Sequence, residues 1–400
     1  MKNNKLYIKK KDILYFVLFS VFVFGVLFYL PDLFNEHYIS GETMSSAIGV
    51  SDKKIKDKEI EKIFIPSYIK TPEQVKGIYM TSWVAGTPSI RKKLVDIIDE
   101  TEINTLVIDI KDYTGKISFA VQDPRLKAYG AEEVRIRDLR EFIEELHQKN
   151  VYVIGRIAVF QDPYFVTIRP DLAVKNKEGT EIWKDRKGLS WIDPGSREYW
   201  DYIILLAKES RKIGFDEINF DYIRFPSDGN MQDISYPISS TTQRTVVMED
   251  FFKYLSQNLI EDVYLDNRLK ISADLFGMVT TAKDDMGIGQ LLEVAFPYFD
   301  YIMPMVYPSH YPPTYQGYKN PANYPYEIIK YDMSSAVTRA NLASTTPLKL
   351  RPWLQDFNLG ATYDQTKVRA QIQATYDVGL NSWILWSPSN RYTVGALKVE

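Results

Sequence analysis

The stretch Gly214–Pro226, GFDEINFDYIRFP, reads as a buried strand in all respects but one. Glu217, Asn219 and Asp221 stand at alternate positions within it. Side chains in a strand alternate faces, so these three polar groups share one face, while Ile218, Phe220 and Tyr222 share the other. A carboxylate buried in a sheet is costly unless it is paired or has chemical work to do. The segment is therefore either a structural ion-pair strand or one wall of an active site.

Outward from this stretch, short apolar runs alternate with amphipathic helical windows, the rhythm of a parallel sheet with crossover helices. Eight runs qualify as strands: 76–83, 105–110, 151–159, 217–223, 270–276, 300–307, 348–354 and 381–386. Between them, Leu139, Phe142, Ile143 and Leu146 have helical spacing, as do Trp200, Ile203, Ile204 and Ala207. Ser89 and Ser196 are expected N-caps, and Gly214 and Gly379 sit where helices should stop. Eight such units predict an α/β fold of the (β/α)8 TIM-barrel type, which takes ~250 residues plus insertions. An open doubly wound sheet is the rival. No G-x-G-x-x-G follows a strand and no P-loop occurs, which counts against that fold and leaves no cofactor expected. Little chain follows the eighth strand, so the last helix is expected to be stunted or missing.

The N-terminus has its own pattern. MKNNKLYIKKK carries five lysines, and Ile13–Leu30 then runs eighteen residues without a charge. That length is at the lower edge for crossing a bilayer. Lysines before the span, with Asp32 and Glu36 after it, predict a cytoplasmic N-terminus and an exported body. A cleaved signal peptide would have a shorter core and a small-residue site, which PDLFNEHY does not offer. The expected organisation is a cytoplasmic basic tail (1–11), a transmembrane anchor (12–30), a polar extracellular linker (31–72) and a barrel (73–400). The expected location is accordingly the cell membrane, single-pass, with the barrel outside and the membrane as a partner.

Composition is ordinary for a globular chain, at 45% hydrophobic and 25% charged residues. A net charge of -3 gives no basic footprint for nucleic acid. Cysteine is absent, which removes disulfides and thiolate chemistry. Aromatics make up 14%, enough both for packing and for stacking on ring-shaped ligands.

In a barrel the active site lies at the C-terminal ends of the strands. Polar residues recur there: Asp109, Lys111 and Asp112; Arg156 and Asp162; Asp221 and Arg224; Asp274; Gln355 and Asp356. Any single strand-end Asp can simply cap the following helix. Three acids on neighbouring strands with aromatics around the rim suit carbohydrate chemistry, in which two carboxyls flank the scissile bond and flat rings hold the sugar. His37, His147 and His310 are too scattered for a histidine metal centre or a Ser-His-Asp triad. His147 adjoins an apolar stripe and reads as structural. A carboxylate-only metal site on Asp109, Asp221 and Asp274 is a further alternative.

The segments GIYMTSW, LVIDIKDYTG, GFDEINFDYIRFP and IMPMVYPSHY together resemble a bacterial family of glycoside-hydrolase-like barrels known mainly as a domain of unknown function. The likeness covers nearly all of residues 75–390 and implies an often exported barrel of glycosidase type. A more distant resemblance is to chitinase-type barrels, whose strand-four motif spaces acids as D-x-x-D-x-D-x-E. Asp216, Asn219 and Asp221 occupy its first three places, but Ile223 stands where the acid Glu would be. That difference argues against a standard chitinase mechanism.

The resulting expectation is a membrane-anchored glycoside hydrolase acting on a cell-wall or extracellular polysaccharide. Asp221 would be the nucleophile or base and Asp274 the general acid, with Asp109 its rival. Arg156 and Arg224 are expected to act at the site with Asp109, and Trp83, Tyr307, Trp353 and Trp386 to stack on sugar. The long connection after strand three, with Trp183 and Trp191, is expected to form a flap, and YPSHYPPTYQGY the facing wall. The alternative is a non-catalytic glycan-binding or cell-wall scaffold barrel.

Overall fold

The computed structural model describes residues 64–260 and 268–399. Eight parallel strands close into a barrel in sequence order. They are β1 (Lys76–Met80), β2 (Thr105–Lys111), β3 (Tyr152–Ala158), β4 (Glu217–Asp221), β5 (Lys270–Phe276), β6 (Tyr301–Met305), β7 (Trp353–Gln355) and β8 (Trp383–Trp386). The helices on the outside include α1 (Pro88–Glu100), α2 (Leu139–Gln148), α3 (Arg197–Ile213), α4 (Arg244–Leu259), α5 (Leu292–Ala295), α6 (Pro325–Leu342) and α7 (Gln365–Asp377). After β8 only a single 3-10 turn, Val394–Ala396, is formed among the described residues.

The strands are in part shorter than expected, and some details differ. Residues 348–352 do not join β7, because Pro347–Lys349 form a 3-10 turn and Pro352 has no N–H to donate. The N-cap of α1 is Thr87 rather than Ser89, since Pro88 fits the first helical position and starts the helix earlier. Ser196 does cap α3, accepting from the Tyr199 N–H. Gly214 ends that helix with φ of 130°, a conformation that a side chain would resist.

The expected anchor over residues 12–30 lies outside the described residues, as do the tail 1–11 and most of the linker. Among the described residues, no helix is long and apolar enough to cross a membrane. The expectation of a barrel preceded by a transmembrane helix is therefore corrected, for the described residues, to a barrel without a membrane-spanning helix. The membrane-anchored form of the function, the membrane partner and the single-pass cell-membrane location with an extracellular barrel fall with it. Residues 64–72 are tied to the barrel through Tyr68 Oη to the Arg211 carbonyl, Ile69 N–H to Asp216 and Thr71 Oγ1 to Tyr152 Oη.

Apolar packing forms two layers. Outward-facing strand residues such as Ile108, Ile218, Phe220 and Leu275 pack against the helices. A smaller cluster fills the barrel interior with Val107, Tyr152, Ile154, Met303, Trp353 and Ile384. Several polar groups inside the barrel pair with one another. At its lower end Glu217 accepts from Arg351 Nη1 at 3.0 and 3.1 Å and from Tyr152 Oη at 3.0 Å. Arg351 also lies 3.8 Å from the centroid of Tyr301.

Removing one partner of a buried ion pair strands the other charge and costs about 3–5 kcal/mol. Arg351→Leu is therefore expected to lower unfolding stability by about that amount. Glu217→Gln combined with Arg351→Leu should recover part of it, as read from urea denaturation. Equal losses in the single and double variants would show that the pair does not hold the barrel floor.

Candidate active site

Along β4 stand three inward-facing side chains at three depths. Glu217 is the floor pair already described. Asn219, two residues on, sends Nδ2 to Asp274 Oδ1 on β5 at 2.9 Å. Asp221 reaches the mouth of the barrel, where it lines a cavity of about 370 Å³ together with Asp274, Arg156, Tyr307 and Trp386.

Arg156, from β3, stands at the centre of the charged groups. Its Nη1 donates to Asp109 Oδ1 at 2.7 Å and its Nη2 to Asp221 Oδ2. Its Nε lies 3.8 Å from Asp274 Oδ2. One guanidinium thus serves carboxyls from β2, β4 and β5. Burial opposes the charge on Arg156, but Asp221 and Asp109 outweigh that and hold its pKa well above the ordinary arginine value. The cation at the centre of the three acids is this side chain, which argues against the carboxylate-only metal reading.

The acids are not equivalent. Asp109 is pushed up by burial, receives Tyr79 Oη at 2.5 Å as well as Arg156, and is not part of the cavity wall. It therefore acts on Arg156 rather than on a ligand. Asp274 is driven well above the ordinary carboxyl range, first by burial and then by the nearby charge of Asp221. Its Oδ1 accepts from Asn219 and from Trp353 Nε1, the latter at 2.7 Å. Asp221 accepts the N–H of Tyr222 on its second oxygen at 2.5 Å. Tyr222 itself has φ of 54°, a left-handed conformation uncommon for a bulky residue. Strain of this kind costs about 1–3 kcal/mol and tends to persist at functional sites.

The aromatic residues separate by depth. Tyr307 and Trp386 line the cavity and stack on each other, with centroids 5.1 Å apart and planes at 26°. Phe357 meets Trp386 edge-on at 5.1 Å. Burial, then Asp274 and Asp221, push the Tyr307 hydroxyl well above the ordinary tyrosine value, which keeps its proton in place. Trp353 is fully inside the barrel and orients Asp274 rather than facing a ligand. Trp83 is 59% exposed, lies over Arg135 at 4.4 Å and is not part of the cavity wall.

Most other strand-end polar groups are consumed locally. Lys111 pairs with Asp162 at 2.9 Å and Asp112 with Arg135 at 2.5 Å, while Asp356 receives Thr393. His147 bonds Asp216 at 2.9 Å and Ser67 at 3.0 Å, a structural role. His310 lines the cavity, and burial together with Lys187 pulls its pKa down. His37 is outside the described residues. The long connection after β3 is ordered by short bridges such as Gln161 to Trp191 and Lys175 to Ile182, and it brings Lys187 to the cavity. His310 and Tyr311, from the segment after β6, form the other wall. Sequence reasoning missed Lys187 and Tyr79. Tyr79 shares the inward parity of β1, a signal that was available; Lys187 lies in a loop without any periodicity to place it.

The protonation of Asp274 has a measurable consequence. Its pKa is raised by folding, so its proton contributes stability that is fully present below the unfolded value of 3.8 and is lost as pH rises through the native value. Asp274→Asn keeps a neutral group at all pH values. Its stability relative to the parent should therefore improve from pH 4 upward in urea unfolding; a difference independent of pH would contradict the raised pKa.

With this geometry in view, comparison with known proteins places the chain. The family model described as "Putative glycosyl hydrolase domain" matches residues 77–392. No curated protein matches. Among solved structures, a hypothetical protein from Ruminiclostridium thermocellum is 32% identical, over 48% of this chain and 96% of that one, with a TM-score of 0.43. The glycoside hydrolase domain of PgaB (BpsB) from Bordetella bronchiseptica is 12% identical over 83% of this chain and 99% of that one, with a TM-score of 0.53. A class V chitinase from Pseudomonas fluorescens is 11% identical over 81% and 98%, with a TM-score of 0.48. The Bordetella likeness is one of fold.

Proposed function

The chain belongs to that glycosyl hydrolase family, and from this premise we propose that the barrel hydrolyses a glycosidic bond in a polysaccharide, with Asp221 and Asp274 as the working carboxyls. The observation that carries the reading is that both acids, on neighbouring strands, line one cavity in unlike surroundings. Asp274 is buried, and burial together with Asp221 drives its pKa well above the ordinary carboxyl range, which favours its protonated form. Asp221 is held by the Arg156 guanidinium and the Tyr222 N–H. Unlike environments of this sort divide two acids into a donor and a nucleophile or base.

In this mechanism the proton of Asp274 passes to the glycosidic oxygen as the bond to the anomeric carbon breaks. The Asp221 carboxylate either attacks that carbon or takes a proton from the attacking water. Trp386 and Tyr307 offer flat faces to a sugar ring. Arg156 and Asp109 set the position of Asp221, and Asn219 and Trp353 that of Asp274. A purely binding barrel would need the aromatic wall but no second acid, and the pairing of acids favours the enzyme.

The test is a screen of the protein against neutral, acidic and amino polysaccharides for release of reducing ends. Asp221→Asn should lower turnover by about three orders of magnitude or more while leaving the circular dichroism spectrum unchanged. Full activity in that variant would remove Asp221 from the mechanism. Asp274→Asn should cost ~10²–10⁴-fold. Parent turnover should decline as pH rises through the Asp274 pKa, because the donor loses its proton, and that limb should vanish in Asp274→Asn.

A further inference from the structure

The cavity wall carries a second guanidinium that, among the described residues, has no carboxylate within ion-pair distance. Arg224 lies three residues beyond Asp221, is only 7% exposed and faces the same space. Its Nη1 donates to the Phe225 carbonyl at 3.0 Å and to Ser227 Oγ at 3.1 Å, both neutral acceptors. Among the described residues, Asp221, Asp228 and Asp185 act on it only from beyond ion-pair distance. Asp221 is taken by Arg156. Asp185 is taken by Gln161 Nε2, Trp191 Nε1 and the N–H groups of Lys187 and Leu189.

Three rings hold this cation in place instead: Phe276 at 4.5 Å, Trp191 at 4.9 Å and Tyr222 at 5.6 Å from its central carbon. Ring faces attract a cation but accept none of its N–H bonds. The contrast with Arg156 is direct, since that charge is met by the carboxylates of Asp109 and Asp221. A guanidinium taken out of water without an acid partner is a standing cost unless a ligand supplies the anion. Its planar fork suits the paired oxygens of a carboxylate or a phosphate. Lys187, exposed on the β3–β4 connection, adds a second cation to the lining.

Resting on the hydrolase reading, we infer that the polysaccharide is acidic and that a carboxylate or phosphate group on the sugar docks on Arg224, with Lys187 completing the anion site. Neutral and amino sugars leave Arg224 unpaired and are disfavoured, the latter also by charge repulsion.

The test is calorimetric titration of the full chain with four probes: oligogalacturonate, its methyl ester, a glycerol-phosphate-linked teichoic oligomer and a chitosan oligomer. At least one of the two acidic probes should bind about tenfold or more tighter than the neutral ester, with chitosan weakest. The stronger of the two identifies the source of the anion. Arg224→Met keeps the stacked volume and should abolish the acidic preference, whereas Arg224→Lys should keep part of it. Lys187→Ala, at an exposed position where misfolding is no concern, should reduce it. Equal or tighter binding of the ester or of chitosan overturns the inference, as does failure of both acidic probes to bind. An acidic preference that survives in both Arg224→Met and Lys187→Ala does so too. Reducing-end release separates this outcome from the hydrolase reading. Cleavage of a neutral glycan bound as tightly as the acidic probes keeps the hydrolase and removes the anion site. Acidic binding without any cleavage does the reverse.

Discussion

The Arg156 guanidinium is the contact on which the mouth of the barrel depends. Strands β2, β4 and β5 each deliver a carboxyl to the same small volume, and β3, which pairs with β2 and β4, delivers the one cation that touches all three. Three unshielded carboxylates at such range would repel one another strongly in a low-dielectric interior. One positive charge cannot neutralise three negative ones. The balance is met by dividing the acids: Asp109 is tied to Tyr79 and Arg156, Asp221 to Arg156 and a backbone N–H, and Asp274 retains its proton. The raised pKa of Asp274 is thus a consequence first of its burial and then of having Asp221 nearby with too little cation to go round.

The alternation along β4 resolves into a sequence of depths. Glu217 faces Arg351 and Tyr152 at the floor, Asn219 turns a donor toward Asp274, and Asp221 faces the cavity. The strand carries an ion pair below and one wall of the cavity above. The reverse face, Ile218 and Phe220, is occupied by packing against the helices and leaves the strand no freedom to shift register.

Strand number and order were legible because a two-residue period interrupted by helical windows leaves few alternatives. The same parity put Asp221 on one face with Glu217 and Asn219, and position along their strands singled out Asp274 and Arg156. Parity gives the face and not the depth, which is where the aromatic assignments diverge. Trp353 and Trp386 both point inward, yet one is sealed beneath Asp274 and the other lines the cavity. Trp83 sits past the end of β1 on a short helix, where strand alternation no longer applies. Arg224 was placed near the site by proximity to Asp221. Its lack of an acid partner depends on Asp228, four residues on, staying beyond ion-pair distance and on Asp185, in a distant loop, being occupied by four donors; sequence spacing encodes neither. The N-terminal span was read from hydropathy alone, and the described residues contain no helix of that kind.

The apolar residue at position 223 is explained by the backbone just before it. An uninterrupted strand would turn residue 223 inward with residues 219 and 221. The left-handed φ of Tyr222 ends that alternation, and Ile223 is fully buried in the apolar layer outside the barrel. A glutamate there would be an unpaired charge in the core rather than an acid in the cavity. In the proposed mechanism the donor must therefore come from another strand, and β5 offers Asp274 beside Asp221. The same turn brings Arg224 round to the cavity wall. In the proposed reading, the strained residue after Asp221 thus leaves the acid function to the neighbouring strand, and two residues further on Arg224 stands where an anionic group on the substrate would dock.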